Sequence, residues 1–188
     1  MVLTVGILPI GQMDATILRS IKDGLLHVFP ETACFVSDEQ VALPEAAYDK
    51  NRKQYRSNQL LCLIQSYAAK AKGANRVLGV VDVDIFVPEL NFVFGEASFP
   101  GKAALISLWR LKPEYYKVKA DAGVYAQRSL KEAVHEVGHT LGLKHCPRSS
   151  CVMHFSNSIF DTDKKQSLFC DDCCMKAALA INGLEKAL

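Results

Sequence analysis

Two hydrophobic rhythms take turns along the chain. Residues 3–8 form a short, mostly aliphatic run closed by Pro9 and Gly11, the signature of a buried strand. Beyond Asp14, a side chain suited to capping a helix, Ile17, Ile21, Leu25 and Val28 recur at helical spacing as far as Pro30. Residues 32–36 predict a second strand. From about Lys53 to Lys72, Leu60, Leu61, Ile64 and Tyr67 share one helical face, and Gly73 is placed to end that helix. Residues 76–87 are dense in Val and Ile and stop at Pro88; residues 92–99 and 103–111 form two more strands. A long helix is predicted over about 121–143, with Leu130, Val134, Val137 and Leu141 as its apolar stripe. A last helix is predicted over about 176–188.

The order β-α-β-α-β-β-β followed by helices implies an α/β (α+β) fold with a mixed, largely parallel and twisted sheet packed by helices. No repeat and no Gly/Ser-rich or Pro-rich linker divides the 188 residues, so a single domain is expected. Residues 1–120 would hold the sheet, and residues 121–188 the long helix, the cysteine-rich segment and the last helix. With 49% hydrophobic and 22% charged residues, the composition excludes a disordered or fibrous chain. The net charge of +2 gives no electrostatic case for nucleic acid or anionic lipid. No apolar run approaches the roughly 20 residues that span a bilayer. The N-terminus has neither a positive n-region nor a small-residue cleavage site, so no secretory signal is expected. The expectation is a soluble, cytoplasmic protein and a monomer, with no nucleic-acid or membrane partner.

Cysteine usage changes the picture. Of seven cysteines, Cys34 and Cys62 stand alone within apolar runs and are expected to be buried core thiols. The other five, Cys146, Cys151, Cys170, Cys173 and Cys174, crowd the C-terminal quarter. An odd total without an export signal argues against a disulfide framework and for metal ligation.

The chemistry concentrates in His135-Glu136-Val137-Gly138-His139-Thr140-Leu141-Gly142-Leu143-Lys144-His145. Residues four apart on a helix share a face, so His135 and His139 can grip one cation, and both point away from the apolar stripe. Glu136 is placed to reach a water on that cation without ligating it. Gly142 suits a left-handed helix stop, after which the chain can turn back to supply His145 as a third ligand. Three neutral imidazoles plus water make an open tetrahedral zinc site, the hydrolytic form. A bare His-Glu-x-x-His arises by chance in about one chain in two hundred, which is weak on its own. Requiring Gly142 and His145 at their offsets lowers that by a further factor of roughly 700, which makes solvated helix histidines a poor alternative.

This extended motif resembles the metzincin signature of zinc-dependent endopeptidases. Cys146 directly after the third histidine, then Cys151, Met153 and the pair Cys170 and Cys173, resembles the archaemetzincins, intracellular metallopeptidases of archaea and vertebrates. The likeness covers the C-terminal third by motif and extends more loosely to the predicted sheet and to Asn91-Phe92-Val93-Phe94-Gly95-Glu96-Ala97. It implies a metzincin-like domain in which His135, His139 and His145 ligate the catalytic zinc and Glu136 acts as general base and then acid. It also implies that Met153 lies in a turn beneath the ligands, and that residues 92–99 form an edge strand pairing with an extended peptide substrate.

Cys146, Cys151, Cys170 and Cys173 have the form C-x4-C…C-x2-C, which suits a closed four-thiolate structural zinc. Cys174 is the alternative to Cys173. His154 is read as a local polar residue rather than a further ligand. The leading expectation is therefore a zinc metallopeptidase carrying two zinc ions per chain and acting on peptides or proteins. The alternatives are a catalytically weak, metal-containing peptide-binding module, which the intact Glu136 argues against, and a zinc-stapled interaction domain.

Overall fold

The computed structural model describes residues 2–39 and 41–184. Its centre is a five-stranded sheet in the order β2-β1-β5-β8-β7. Strands β1 (Thr4–Ile10), β2 (Ala33–Val36), β5 (Arg76–Val81) and β8 (Ala103–Ser107) run parallel. The edge strand β7 (Gly95–Ala97) is antiparallel to β8, with Glu96 opposite Leu105. A small second sheet joins β3 (Tyr48–Asp49), β4 (Gln54–Arg56) and β6 (Ile85–Phe86).

Parallel strands covered on both faces need apolar residues on both faces. Val5, Ile7, Leu78, Val80, Ala104 and Ile106 point to one side, under α1 (Ala15–Val28) and α3 (Ala122–Thr140). Leu8, Ile10, Val77, Val81, Ala103 and Leu105 point to the other, under α2 (Ser57–Ala68). That two-sided burial is why these strands read as unbroken apolar runs. No described helix is long and apolar enough to cross a membrane.

The order of the main elements and the predicted Asp14 cap stand, Asp14 accepting from the Thr16 amide at 2.8 Å; Asp121, at the start of the long helix, is a second cap and accepts from the Val124 amide at 2.9 Å. The boundaries differ in instructive ways. Pro9 does not end the first strand; β1 continues through it to Ile10. Its backbone faces the side where β2 has already stopped, and its carbonyl takes the Val41 amide at 3.2 Å. The missing N–H therefore breaks no ladder. Residues 54–56 leave the predicted helix for β4, so α2 starts at Ser57, whose hydroxyl donates to the Phe86 carbonyl at 3.0 Å. α2 also ends at Ala68, well before Gly73.

The run predicted over 76–87 is split between two sheets. The chain leaves β5 at Asp82 and Asp84, whose carboxylates take Lys112 at 2.6 Å and Arg110 at 2.6 and 2.7 Å. Local sequence offers no cue to those distant partners. Of residues 92–99 only three are strand, and β8 stops at Ser107. Helix α4 (Ile159–Lys164) is an addition to the predicted elements, although Ser158 and Asp161 form a capping box. Helix α5 (Asp171–Gly183) begins five residues before Lys176, with Asp171 and Asp172 in its first turn, where carboxylates favour helix initiation. The predicted end of that helix, residues 185–188, lies outside the described residues. The expectation of two core thiols needs correcting. Cys34 is only half-buried, with its thiol pushed up to about 12 by desolvation, and Cys62 is exposed on the outer face of α2.

Ile106 is fully buried beneath α3 and links the sheet to the helix that carries the histidines. Ile106→Ala should lower stability by about 2–5 kcal/mol, the usual range for an aliphatic deletion in a packed core, measured by denaturant melts.

Candidate metal centres

α3 packs Val134 and Val137 on the sheet and turns His135 and His139 into a cleft of about 700 Å³. His135 Nδ1 lies 2.8 Å from the Val152 carbonyl, and His139 Nδ1 lies 2.7 Å from the Leu143 carbonyl. A carbonyl only accepts, so both Nδ1 atoms carry the proton and both Nε2 atoms carry a free lone pair. Those two lone pairs face each other, His139 Nε2 lying 3.1 Å from His135 Nε2, and His145 Nε2 joins them 3.2 Å from His139 Nε2. Facing lone pairs repel at such distances unless a cation lies between them. Tetrahedral zinc at about 2.0–2.1 Å from each nitrogen sets the nitrogens about 3.3 Å apart, so the donor set fits it.

The turn that delivers His145 is a Schellman motif. Gly142 has φ +87°, and the Gly142 and Leu143 amides donate to the His139 and Gly138 carbonyls at 2.9 and 3.1 Å. Gly138 is more than a spacer in the motif, a role that sequence reasoning missed. Any Cβ there would stand 2.5 Å from Met153 Sδ, so its absence lets fully buried Met153 pack against the helix below the histidines. A glycine inside a helix, unfavourable by about 1 kcal/mol against alanine, is the available cue.

The thiols gather close by. Cys146 and Cys170 Sγ are 3.8 Å apart, and Cys151 and Cys173 complete a group whose donor atoms all lie within 4.8 Å of one another. A disulfide would need about 2.05 Å. Four sulfurs at about 2.3 Å from a zinc stand about 3.8 Å apart, and the set fits that ion. Cys174 is exposed and stands outside the group. The Cys173 backbone N–H aimed at Cys170 brings that thiol down to about 7, towards the thiolate a metal needs, whereas desolvation pushes the Cys151 and Cys173 thiols up. His154 joins neither group; its Nδ1 donates to the Cys146 carbonyl at 2.9 Å.

The cleft has the histidines and Glu136 on one side and β7 on another, with Phe92, Phe94 and Phe155 among its apolar walls. Glu136 is buried beside the histidines but outside their converging group. Desolvation, reinforced by neighbouring Glu132, holds its carboxyl well above the usual carboxylate range, with Lys165 pulling the other way. Burial likewise holds all three imidazoles below the ordinary histidine value. Sequence reasoning missed both Glu132 and Lys165, a buried ion pair at 3.0 Å.

The chain matches the model of peptidase family M54 over residues 13–178. It is 42% identical over 176 residues to the archaemetzincin of Methanocaldococcus jannaschii, covering 94% of this chain and 93% of that one. To the archaemetzincin of Pyrococcus abyssi it is 40% identical over 173 residues, covering 90% and 92%. The chain belongs to the archaemetzincins, peptidase family M54. It is thus a zinc metallopeptidase by family, a hydrolase of peptide bonds. The crystal structure of archaemetzincin from Methanopyrus kandleri superposes with a TM-score of 0.83 at 32% identity, covering 96% of each chain. That of the Archaeoglobus fulgidus archaemetzincin gives 0.79 at 35% identity, covering 93% of this chain and 99% of that one. The mixed sheet with its active-site helix is therefore the archaemetzincin fold.

The shifted titrations predict how the protein behaves once metal is removed from the histidines. The unfolded chain takes up protons near the ordinary histidine value of 6.5, whereas the folded imidazoles resist them. Stability should therefore fall as pH drops below that value. Glu136 opposes this trend, because its raised value makes the folded state the better proton acceptor above 4.5. In Glu136→Gln the loss of melting temperature between about pH 7.5 and pH 5 should be steeper than in the parent, as thermal melts of chelator-treated protein would test.

Proposed function

We propose that the protein hydrolyses peptide bonds in the cleft between α3 and β7, with His135, His139 and His145 holding a catalytic zinc and Glu136 as the proton carrier. The observation that carries the reading is the convergence of three Nε2 atoms, two of them held as lone pairs, beside a buried carboxylate that stays outside the group. A zinc ion held there supplies Lewis acidity toward a carbonyl oxygen and makes water acidic enough to attack at neutral pH. The chain's own residues do the rest. The Val152 and Leu143 carbonyls fix the tautomers of His135 and His139. Glu136 takes a proton from the attacking water and returns it to the leaving amine, a role suited to a carboxyl whose proton affinity is raised by burial. β7, the edge of the sheet, lines the cleft and offers its outer backbone to an extended peptide. Met153 is an apolar floor to the imidazoles.

Cys146, Cys151, Cys170 and Cys173 would hold a second, structural zinc. The chain would then carry two ions that differ in exposure: one at a cleft, one closed off by four sulfurs.

Glu136→Ala should keep both zinc ions and the fold yet lower peptide turnover by at least about 10²-fold. Loss of zinc in this variant would make Glu136 a ligand and overturn the assignment. Full zinc occupancy with no turnover in the parent would favour a peptide-binding module instead.

Elemental analysis of Cys151→Ser and His145→Ala should each find one zinc where the parent has two. Cys151→Ser should suffer the larger fall in melting temperature, because closed thiolate sites couple metal binding to local folding.

A further inference from the structure

Lys165 lies just past α4 and is among the most deeply buried side chains in the protein, 1% exposed. Its Nζ stands 3.0 Å from Glu132 Oε1 and donates to the His154 carbonyl at 3.4 Å. Glu132, 3% exposed, sits on α3 one turn before Glu136 and reaches the cleft. The same Glu132 oxygen accepts from Thr162 Oγ1 at 3.1 Å, which ties it to α4. Lys131 donates to the Thr162 and Asp163 carbonyls at 3.0 and 3.1 Å, clamping α4 further onto α3.

Between His154 and α4 run residues 155–158, and the first three of them line the cleft. Both ends of this short wall are therefore anchored on one ion pair: His154 through Lys165, and α4 through Glu132. Burying two charges usually contributes less stability than an apolar pair of equal volume. An apolar pair, however, cannot hold a carbonyl and a hydroxyl at fixed points.

We propose that Glu132 and Lys165 are positioning residues that set the 155–157 wall, and through it the affinity for the substrate side chain lodged against it. The proposal rests on the reading of the cleft as a peptide-binding site. The pair stands outside the converging histidine donors and acts through the wall, whose Phe155 ring packs 4.9 Å from the ring of His145.

The test replaces both charges at once, Glu132→Leu with Lys165→Met, leaving no unpaired buried ion. The melting temperature should stay within about 4 °C of the parent or rise. Zinc content should not change. Two probes are then compared on the zinc-loaded protein by calorimetry: acetohydroxamate, which has a single methyl to set against the wall, and a peptide hydroxamate carrying a leucine side chain. Acetohydroxamate should bind as in the parent, while the peptide hydroxamate weakens at least about tenfold, the scale expected when a binding wall shifts by a fraction of an ångström. With a peptide substrate, KM should rise by a similar factor. Unchanged binding of both probes would overturn the proposal, as would equal weakening of both, which would place the effect at the metal. Because the probes read binding, an inactive parent would sink the peptidase reading without touching this test. If the double variant does not fold, Thr162→Val removes only the hydroxyl bond to Glu132. It should weaken the peptide hydroxamate alone, by about threefold for one lost hydrogen bond, and no change there would equally overturn the proposal.

Discussion

A neutral imidazole has one lone pair to offer, and here two backbone carbonyls decide which way it faces. The Val152 and Leu143 oxygens take the Nδ1 protons of His135 and His139, and everything at the centre depends on that choice. With the protons fixed, the Nε2 atoms can only present lone pairs to one another, an arrangement that is stable around a cation and unfavourable without one. Neither carbonyl belongs to a regular element. One lies beside Met153, the other just past the Schellman turn at Gly142. The site is therefore as good as the two turns that hold those oxygens.

Those turns bury Leu143, Val152 and Met153 in the core, and directional contacts hold them as well. The Cys146 amide donates to the Met153 carbonyl at 2.9 Å, and the Val152 amide donates to the Leu168 carbonyl at 3.0 Å. The thiols of Cys146 and Cys151 bracket the same stretch and meet Cys170 and Cys173 at the start of α5. On the opposite side the Glu132–Lys165 pair fixes His154 to α3. Directional contacts from thiol, carbonyl and ion pair add locally to the packing that these turns share with the sheet. Such contacts specify position more sharply than an apolar cluster but contribute less net stability after desolvation. This division suits a segment whose task is geometry. The stability of the molecule comes from the sheet, buried on both faces between α1, α2 and α3.

The sheet also explains why the cleft lies where it does. β7 is short, antiparallel and at the edge, so one side of its backbone faces the space in front of α3. Its loop approach is pinned by Arg52, which donates to the Leu90 and Asn91 carbonyls at 2.8 and 2.9 Å, and by the Arg110 guanidinium stacked 4.2 Å over Phe92. The rim and the wall of the cleft are thus set by separate polar networks on either side of the histidines.

Much of this is legible in sequence because it is local. Histidines four apart on a helix, a glycine where the helix must stop, cysteines in two close pairs and an aspartate at a helix start each act within a few residues of themselves, so spacing alone carries the chemistry. The alternation of apolar runs with helical stripes likewise sets the order of elements. Tertiary structure decides what depends on a distant partner. Pro9 stays in a strand because β2 ends beside it. Residues 76–87 divide between two sheets because Asp82 and Asp84 find Lys112 and Arg110. Gly138 matters because Met153 arrives against it from fifteen residues away. Nothing near Lys165 in the sequence marks it as buried; the fold does so by setting it against Glu132. A periodicity records which face of an element is apolar. It holds no record of which polar group from elsewhere in the chain will meet that face, and at this site those meetings set the geometry.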